Sequence, residues 1–165
     1  MPTTTELIKE LREKTGAGIM ECKKALDDAV GDLTKAQQLI KERGLAMAEK
    51  KAGREAGQGL IDSYVHAGRI GAMIELNCET DFVARTDDFK TLAREIAMQV
   101  AATNPSRINS KEASTDGTDG DVPLLDQPYI RDASKTVGEL VNETIAKVRE
   151  NIVVRRICRF ELGGQ

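Results

Sequence analysis

A chain of 165 residues and 18.0 kDa, 40% hydrophobic and 31% charged, can hold one domain of ordinary size or one domain with a small satellite, and its apolar runs fall far short of the roughly 20 residues that span a bilayer. A net charge of −3 argues against a broad nucleic-acid surface, which needs a basic excess to displace phosphate counterions, and favours protein partners. Three cysteines without close spacing and one histidine make neither a disulfide framework nor a metal cluster, and Met-Pro-Thr-Thr-Thr-Glu has no export or organelle bias, so a reducing, cytosolic setting is expected.

The first 44 residues read as a three-helix unit. Thr3 and Glu6 form a capping box, and Leu7, Ile8 and Leu11 make the apolar stripe of a short helix. Gly16 and Gly18 interrupt it with a tight turn. A second helix from Ile19 to about Val30 buries Cys22, Ala25, Leu26 and Ala29, and stops at Gly31. Asp32 caps a third helix that turns Leu33, Ala36, Leu39 and Ile40 inward and ends at Gly44. Ile19 and Met20 are adjacent and cannot both point inward from one helix, so an exposed apolar edge suits either docking or ordinary surface leakage. Residues 45–58, increasingly broken by glycine, read as a linker, and Lys50, Lys51 and Arg54 interleave with Glu49 and Glu55 as a solvated face.

The remaining chain, 59–165, reads as an α+β core. Leu60–Ala67 and Ile70–Cys78 form a hairpin through Gly68, with Ile70, Ala72, Ile74, Leu76 and Cys78 on one face. The alternation breaks at Asn77–Arg85, Asn-Cys-Glu-Thr-Asp-Phe-Val-Ala-Arg. Thr80 can cap a helix starting at Asp81 or Phe82, which sets an aromatic and a carboxylate on a strand-to-helix corner. The pair fits a presented site, although a Phe and an Asp in a first helical turn are more often a core anchor and a dipole complement. Phe89, Leu92, Ala93, Ile96, Val100 and Ala101 continue in helix to about Thr103, and Asn104-Pro105 ends it. Residues 110–122 read as a mobile acidic loop whose aspartates miss the spacing of a calcium site. Pro123–Ile130 is expected to approach the sheet in extended form, Thr136–Glu150 to be helical, and Ile152–Leu162 to be the last strand, with Val154, Cys158, Phe160 and Leu162 sharing a face with Arg156. The three long strands should make one antiparallel sheet covered by helices. Helices enough mainly for one face leave the other for a second copy, so a homodimer through the sheet is expected, with Cys158 near its two-fold axis. Catalysis by its own side chains is not expected. Neither His66 nor the thiols Cys22 and Cys78 has a nucleophile–base partner nearby in sequence.

Two blocks, Leu11–Leu26 (Leu-Arg-Glu-Lys-Thr-Gly-Ala-Gly-Ile-Met-Glu-Cys-Lys-Lys-Ala-Leu) and Gly71–Arg85, resemble the two signatures of the elongation factor Ts family, in its short form with a single core half. Where relatives carry a further helical segment of a few dozen residues, this chain has only the acidic loop around Ser110–Val122. The resemblance implies a UBA-like N-terminal unit, a dimer, and a nucleotide exchange factor that expels GDP from elongation factor Tu, with no cofactor. Carried over by motif, Thr80, Asp81, Phe82 and Val83 would press near the GTPase magnesium and phosphate site, and Leu11, Ile19 and Met20 would dock the helical unit. The alternative is a passive binding module in which the hairpin is scaffold only.

Overall fold

The structure, a computed structural model, describes residues 2–112 and 121–164; most of the acidic loop expected at 110–122 lies outside them. Helices α1 (Thr4–Thr15), α2 (Ile19–Asp28) and α3 (Leu33–Lys51) make the N-terminal unit. Its caps are those the sequence suggests. Glu6 Oε2 accepts from Thr3 N at 2.7 Å while Thr3 Oγ1 accepts from Glu6 N at 3.3 Å, and Asp32 Oδ1 accepts from Thr34 N and Lys35 N at 2.9 and 3.1 Å. Leu11, Cys22, Ala25, Leu26 and Ala36 fill a thin core of small and medium side chains.

Helix α3 does not end at Gly44 but runs on to Lys51, so residues 45–51, expected as linker, are helical and only 52–57 connect to the sheet. A glycine inside a helix costs about 1 kcal/mol against alanine. At Gly44 packing offsets that cost: the residue is buried, a β-carbon placed there would lie 3.8 Å from that of Ala146, and Ala48 one turn later joins the main core. Lys41 adds a 2.6 Å ion pair to Glu139, whose carboxyl it holds below its ordinary range.

Strands β1 (Gln58–His66), β2 (Ile70–Cys78) and the C-terminal strand (Ile152–Glu161) form one antiparallel sheet with β2 central, which is the expected α+β core. The β1–β2 turn places Ala67 and Gly68 at φ 51° and 66°, the paired left-handed angles of a tight hairpin. Ile74, Leu76 and Cys78 pack beneath helix Asp87–Thr103, and share one core with its Phe89, Leu92, Ile96 and Val100 and with Val137, Val141 and Ile145 of helix Val137–Val148.

The face assignment of the last strand needs correction. Opposite Glu75 lies Arg156, but opposite Leu76 lies Val154, so Arg155 is an extra, unpaired residue. Such a bulge reverses the parity of everything beyond it. Val154 and Ile152 are therefore buried with Leu76 and Cys78, whereas Cys158 and Phe160 lie on the opposite, open face beside Met73 and Gly71.

Pro123–Ile130 also departs from expectation. It forms a 3₁₀ turn (Leu124–Asp126) and then β3 (Pro128–Tyr129), which pairs with β4 (Asp132–Thr136) in a separate two-stranded sheet instead of joining the main one. Buried Gln99 holds it there: its Nε2 donates to Gln127 Oε1 and Pro128 O, both at 3.1 Å, and its Oε1 accepts from Ile130 N at 3.0 Å. The remaining elements are α4 (Asp81–Ala84), α5 (Asp87–Thr103), α6 (Val137–Val148) and β5 (Ile152–Glu161). Among the described residues no helix is long and apolar enough to cross a membrane.

Candidate functional site

The corner after β2 is a single helical turn held between two threonine caps. Thr80 is extended (φ −125°, ψ 154°) and its hydroxyl accepts from Val83 N at 3.4 Å; Thr86 caps α5 in the same way, accepting from Phe89 N at 3.3 Å. Val83 and Ala84 are buried against the core and fasten the turn from below. Phe82 points out and is 78% exposed, which decides against a core anchor. Asp81 beside it is also exposed and pairs with Arg85 at 3.0 Å. Of the four motif residues, Asp81 and Phe82 are thus presented, Val83 holds, and Thr80, half-buried, caps.

Two carboxylates brace this corner, and neither was singled out from the sequence. Glu150 Oε2 accepts from Glu79 N and Thr80 N, each at 3.0 Å, and its Oε1 accepts from the Thr80 hydroxyl at 2.6 Å. In return Glu79 Oε1 accepts from Asn151 N at 2.8 Å. Asn151 Nδ2 donates to Arg54 O at 2.8 Å, and Asn77 Nδ2 donates to Ala56 O at 3.1 Å, which ties the connecting segment into the same junction.

On the helical unit, Ile19 and Met20 stand at the start of α2, 55% and 74% exposed. Leu11 is fully buried in the unit's core with Cys22, Ala25 and Leu26 and presents no outer surface of its own. A cleft of about 400 Å³ opens between this unit and α6, lined by Lys14, Glu21, Lys41 and Glu139 among others and not by Phe82. Exposed side chains such as Phe82 and Asp81 suit a macromolecular partner better than a small molecule, which favours a concave site.

Cys22 and Cys78 are poorly placed to act as nucleophiles. Cys78 is buried with Sγ 3.1 Å from Thr80 O, and burial, with the Glu150 carboxylate nearby, pushes its pKa up to about 11; burial also raises that of Cys22. Iodoacetamide at neutral pH is expected to leave Cys22 and Cys78 unmodified until the protein is unfolded; rapid native-state labelling of either, read by mass spectrometry, would count against this. Among the described residues no group of three or more His, Cys, Asp or Glu side chains is placed to hold a metal ion.

The family model described as Elongation factor TS matches residues 5–120 and, in a second match, 79–165. The chain belongs to the elongation factor Ts family. Elongation factor Ts of Thermoanaerobacter sp. (strain X514) is 48% identical over 193 residues, covering 97% of this chain and 95% of the relative. That of Coprothermobacter proteolyticus is 46% identical over 196 residues, with 99% and 100% covered, and that of Thermodesulfovibrio yellowstonii 45% over 194, with 99% and 98%. These alignments are longer than the chain's own 165 residues, so such elongation factor Ts relatives carry residues that this chain lacks. As a member of the family it is a translation elongation factor, and its mixed helical and sheet fold with an N-terminal helical unit agrees with that membership. The motif Thr80–Val83, which carried the resemblance, lies at the braced corner; Ile19 and Met20 lie at the other exposed apolar point the sequence marked.

Proposed function

We propose that this elongation factor Ts chain is a nucleotide exchange factor: it binds elongation factor Tu carrying GDP and promotes GDP release so that GTP can enter. The observation that carries the reading is Phe82, a fully presented ring on a turn whose other side is buried. Nucleotide in such a GTPase is held by phosphate contacts to backbone amides, a lysine and magnesium. A ring and a carboxylate inserted beside that shell displace its parts, and release follows without any bond being made or broken. The factor then needs no cofactor and no catalytic side chain, and it acts in the cytoplasm without direct contact to nucleic acid. Ile19 and Met20 dock the helical unit on the nucleotide-binding domain, with Leu11 in the core of that unit.

The test mixes the protein with elongation factor Tu loaded with fluorescent GDP and follows release. Acceleration that saturates with factor concentration supports the reading; complex formation without acceleration would leave a passive binding module in its place.

The open face of the sheet supports a homodimer. Ile61, Val65, Met73 and Phe160 are exposed there, next to Cys158, while α5 covers the other face. Phe160→Asp is expected to give a monomer by light scattering at micromolar concentration where the unmodified chain is dimeric. A monomeric unmodified chain under the same conditions would end this part of the proposal.

A further inference from the structure

The corner that presents Phe82 has little stability of its own. A helix of four residues is far below the length at which backbone hydrogen bonds sustain it, and its closing contacts, Ala84 N to Thr80 O and Arg85 N to Phe82 O, are both long at 3.3 Å. Besides the burial of Val83 and Ala84, what holds it comes from about seventy residues further along the chain. Helix α6 ends with Arg149 in the left-handed conformation, φ 61°, and this reversal delivers Glu150 to the corner. Its carboxylate takes three hydrogens: the amides of Glu79 and Thr80, which have just left the sheet ladder, and the hydroxyl of Thr80. A hydroxyl has one hydrogen and two lone pairs. By taking the hydrogen, Glu150 leaves the Thr80 lone pairs free to cap Val83 N, which sets the first turn of α4 and with it the direction of Phe82.

We propose that Glu150 is a positioning residue for nucleotide exchange: through Thr80 it fixes the turn that carries Asp81 and Phe82, without itself reaching the partner. The Glu79 carboxylate on Asn151 N closes the clasp from the other side, so the end of β2 and the start of β5 restrain each other. Charge-assisted bonds of this kind are shorter and stronger than neutral ones, and three on one carboxylate make it the main external restraint on the corner. The function assigned to Glu150 rests on the exchange reading above; the restraint itself does not.

The experiment has two arms that separate those parts. In the free protein, Glu150→Ala is expected to speed hydrogen exchange at the Glu79 and Thr80 amides by roughly tenfold or more, with amides of α5 around Ile96 unchanged. With elongation factor Tu and fluorescent GDP, the same variant is expected to lower the plateau of stimulated release by roughly three- to tenfold while the half-saturating concentration moves by less than about twofold. Val141→Ala, a core truncation in α6, serves as control: it lowers global stability and leaves the plateau where it was. Glu150→Gln keeps one acceptor oxygen and the side-chain volume, is expected to fall between wild type and alanine in both arms, and carries the test should the alanine variant not fold. Unchanged exchange at the Glu79 and Thr80 amides overturns the proposal, as does faster amide exchange with an unchanged plateau. Failure of the wild-type chain to accelerate release overturns the exchange reading, while the first arm still decides the restraint.

Discussion

Replacing Phe82 by alanine is expected to lower the plateau of stimulated GDP release by roughly tenfold at saturating factor, with only a small change in affinity for nucleotide-free elongation factor Tu. The ring is exposed, so its loss should change the factor's own stability by no more than about 0.5 kcal/mol, and the variant reports on the partner alone. If the factor weakens GDP binding by some ratio, GDP weakens factor binding by the same ratio, and a coupling of about 3 kcal/mol corresponds to roughly 150-fold. Contacts that force the nucleotide shell apart contribute to that coupling, whereas contacts made equally with and without nucleotide contribute only to affinity. On the exchange function proposed above, Phe82 and Asp81 are assigned to the first kind and Met20 to the second. Met20→Ala should accordingly shift the half-saturating concentration by roughly tenfold, a loss of about 1.4 kcal/mol of docking, and leave the plateau in place. Saturation curves for the two variants side by side test the assignment, which fails if Phe82→Ala moves only the half-saturation point.

Much of the architecture behind this site was legible because burial on one side leaves a period in the chain. Strand β2 is covered by α5, so Ala72, Ile74, Leu76 and Cys78 alternate cleanly, and the caps at Thr3, Asp32 and Thr80 bond within three residues of themselves. Local signals of this range survive without tertiary knowledge. The departures are all places where a distant contact decides. Gly44 stays helical because α6 packs against it, the β3–β4 hairpin separates from the main sheet because buried Gln99 captures the backbone of Pro128 and Ile130, and Arg155 is extruded to fit the ladder opposite Glu75 and Leu76. None of these leaves a mark in the neighbouring residues. At the site itself, the Thr-Asp-Phe-Val motif was visible as a break in alternation, but spacing could not tell a presented Phe82 from a buried one. Glu150 was invisible for a further reason: it looked like an ordinary charged residue at a helix end, and its partners lie on the other side of α5 and α6 in sequence.

Three glycines on the β1–β2 hairpin separate backbone strain from collision, and Gly59→Ala is expected to be the most damaging alanine substitution among them. Gly59 has φ 148°, and a β-carbon there would meet Leu76 O at 2.1 Å, Asn77 Cα at 2.8 Å and Leu76 C at 3.0 Å. All three are backbone atoms of the central strand, so the collision cannot be relieved by a side chain turning away. Gly68 at the tip has φ 66° but open space around it, and there alanine meets the left-handed penalty alone, about 1–2 kcal/mol. Gly71 has no positive φ and its nearest neighbour would be Val65 Cγ2 at 3.7 Å, an ordinary contact, so alanine there should be within about 0.5 kcal/mol of wild type. Gly59→Ala combines strain with overlap and should cost roughly 3 kcal/mol or more in urea unfolding. Its effect also has a direction. Gly59 pairs with Asn77, the residue whose side chain anchors Ala56 O and whose strand leads two residues later into Glu79 and Thr80, so forcing β1 away at that end loosens the clasp on the corner. Gly59→Ala protein that remains folded should therefore show a reduced plateau of GDP release, whereas Gly68→Ala, at the far end of the same strands, should lose stability and keep the plateau. Equal costs for the two variants in urea would show that β1 yields at Gly59, and the close approach of the strands there would then not be what holds the corner in place.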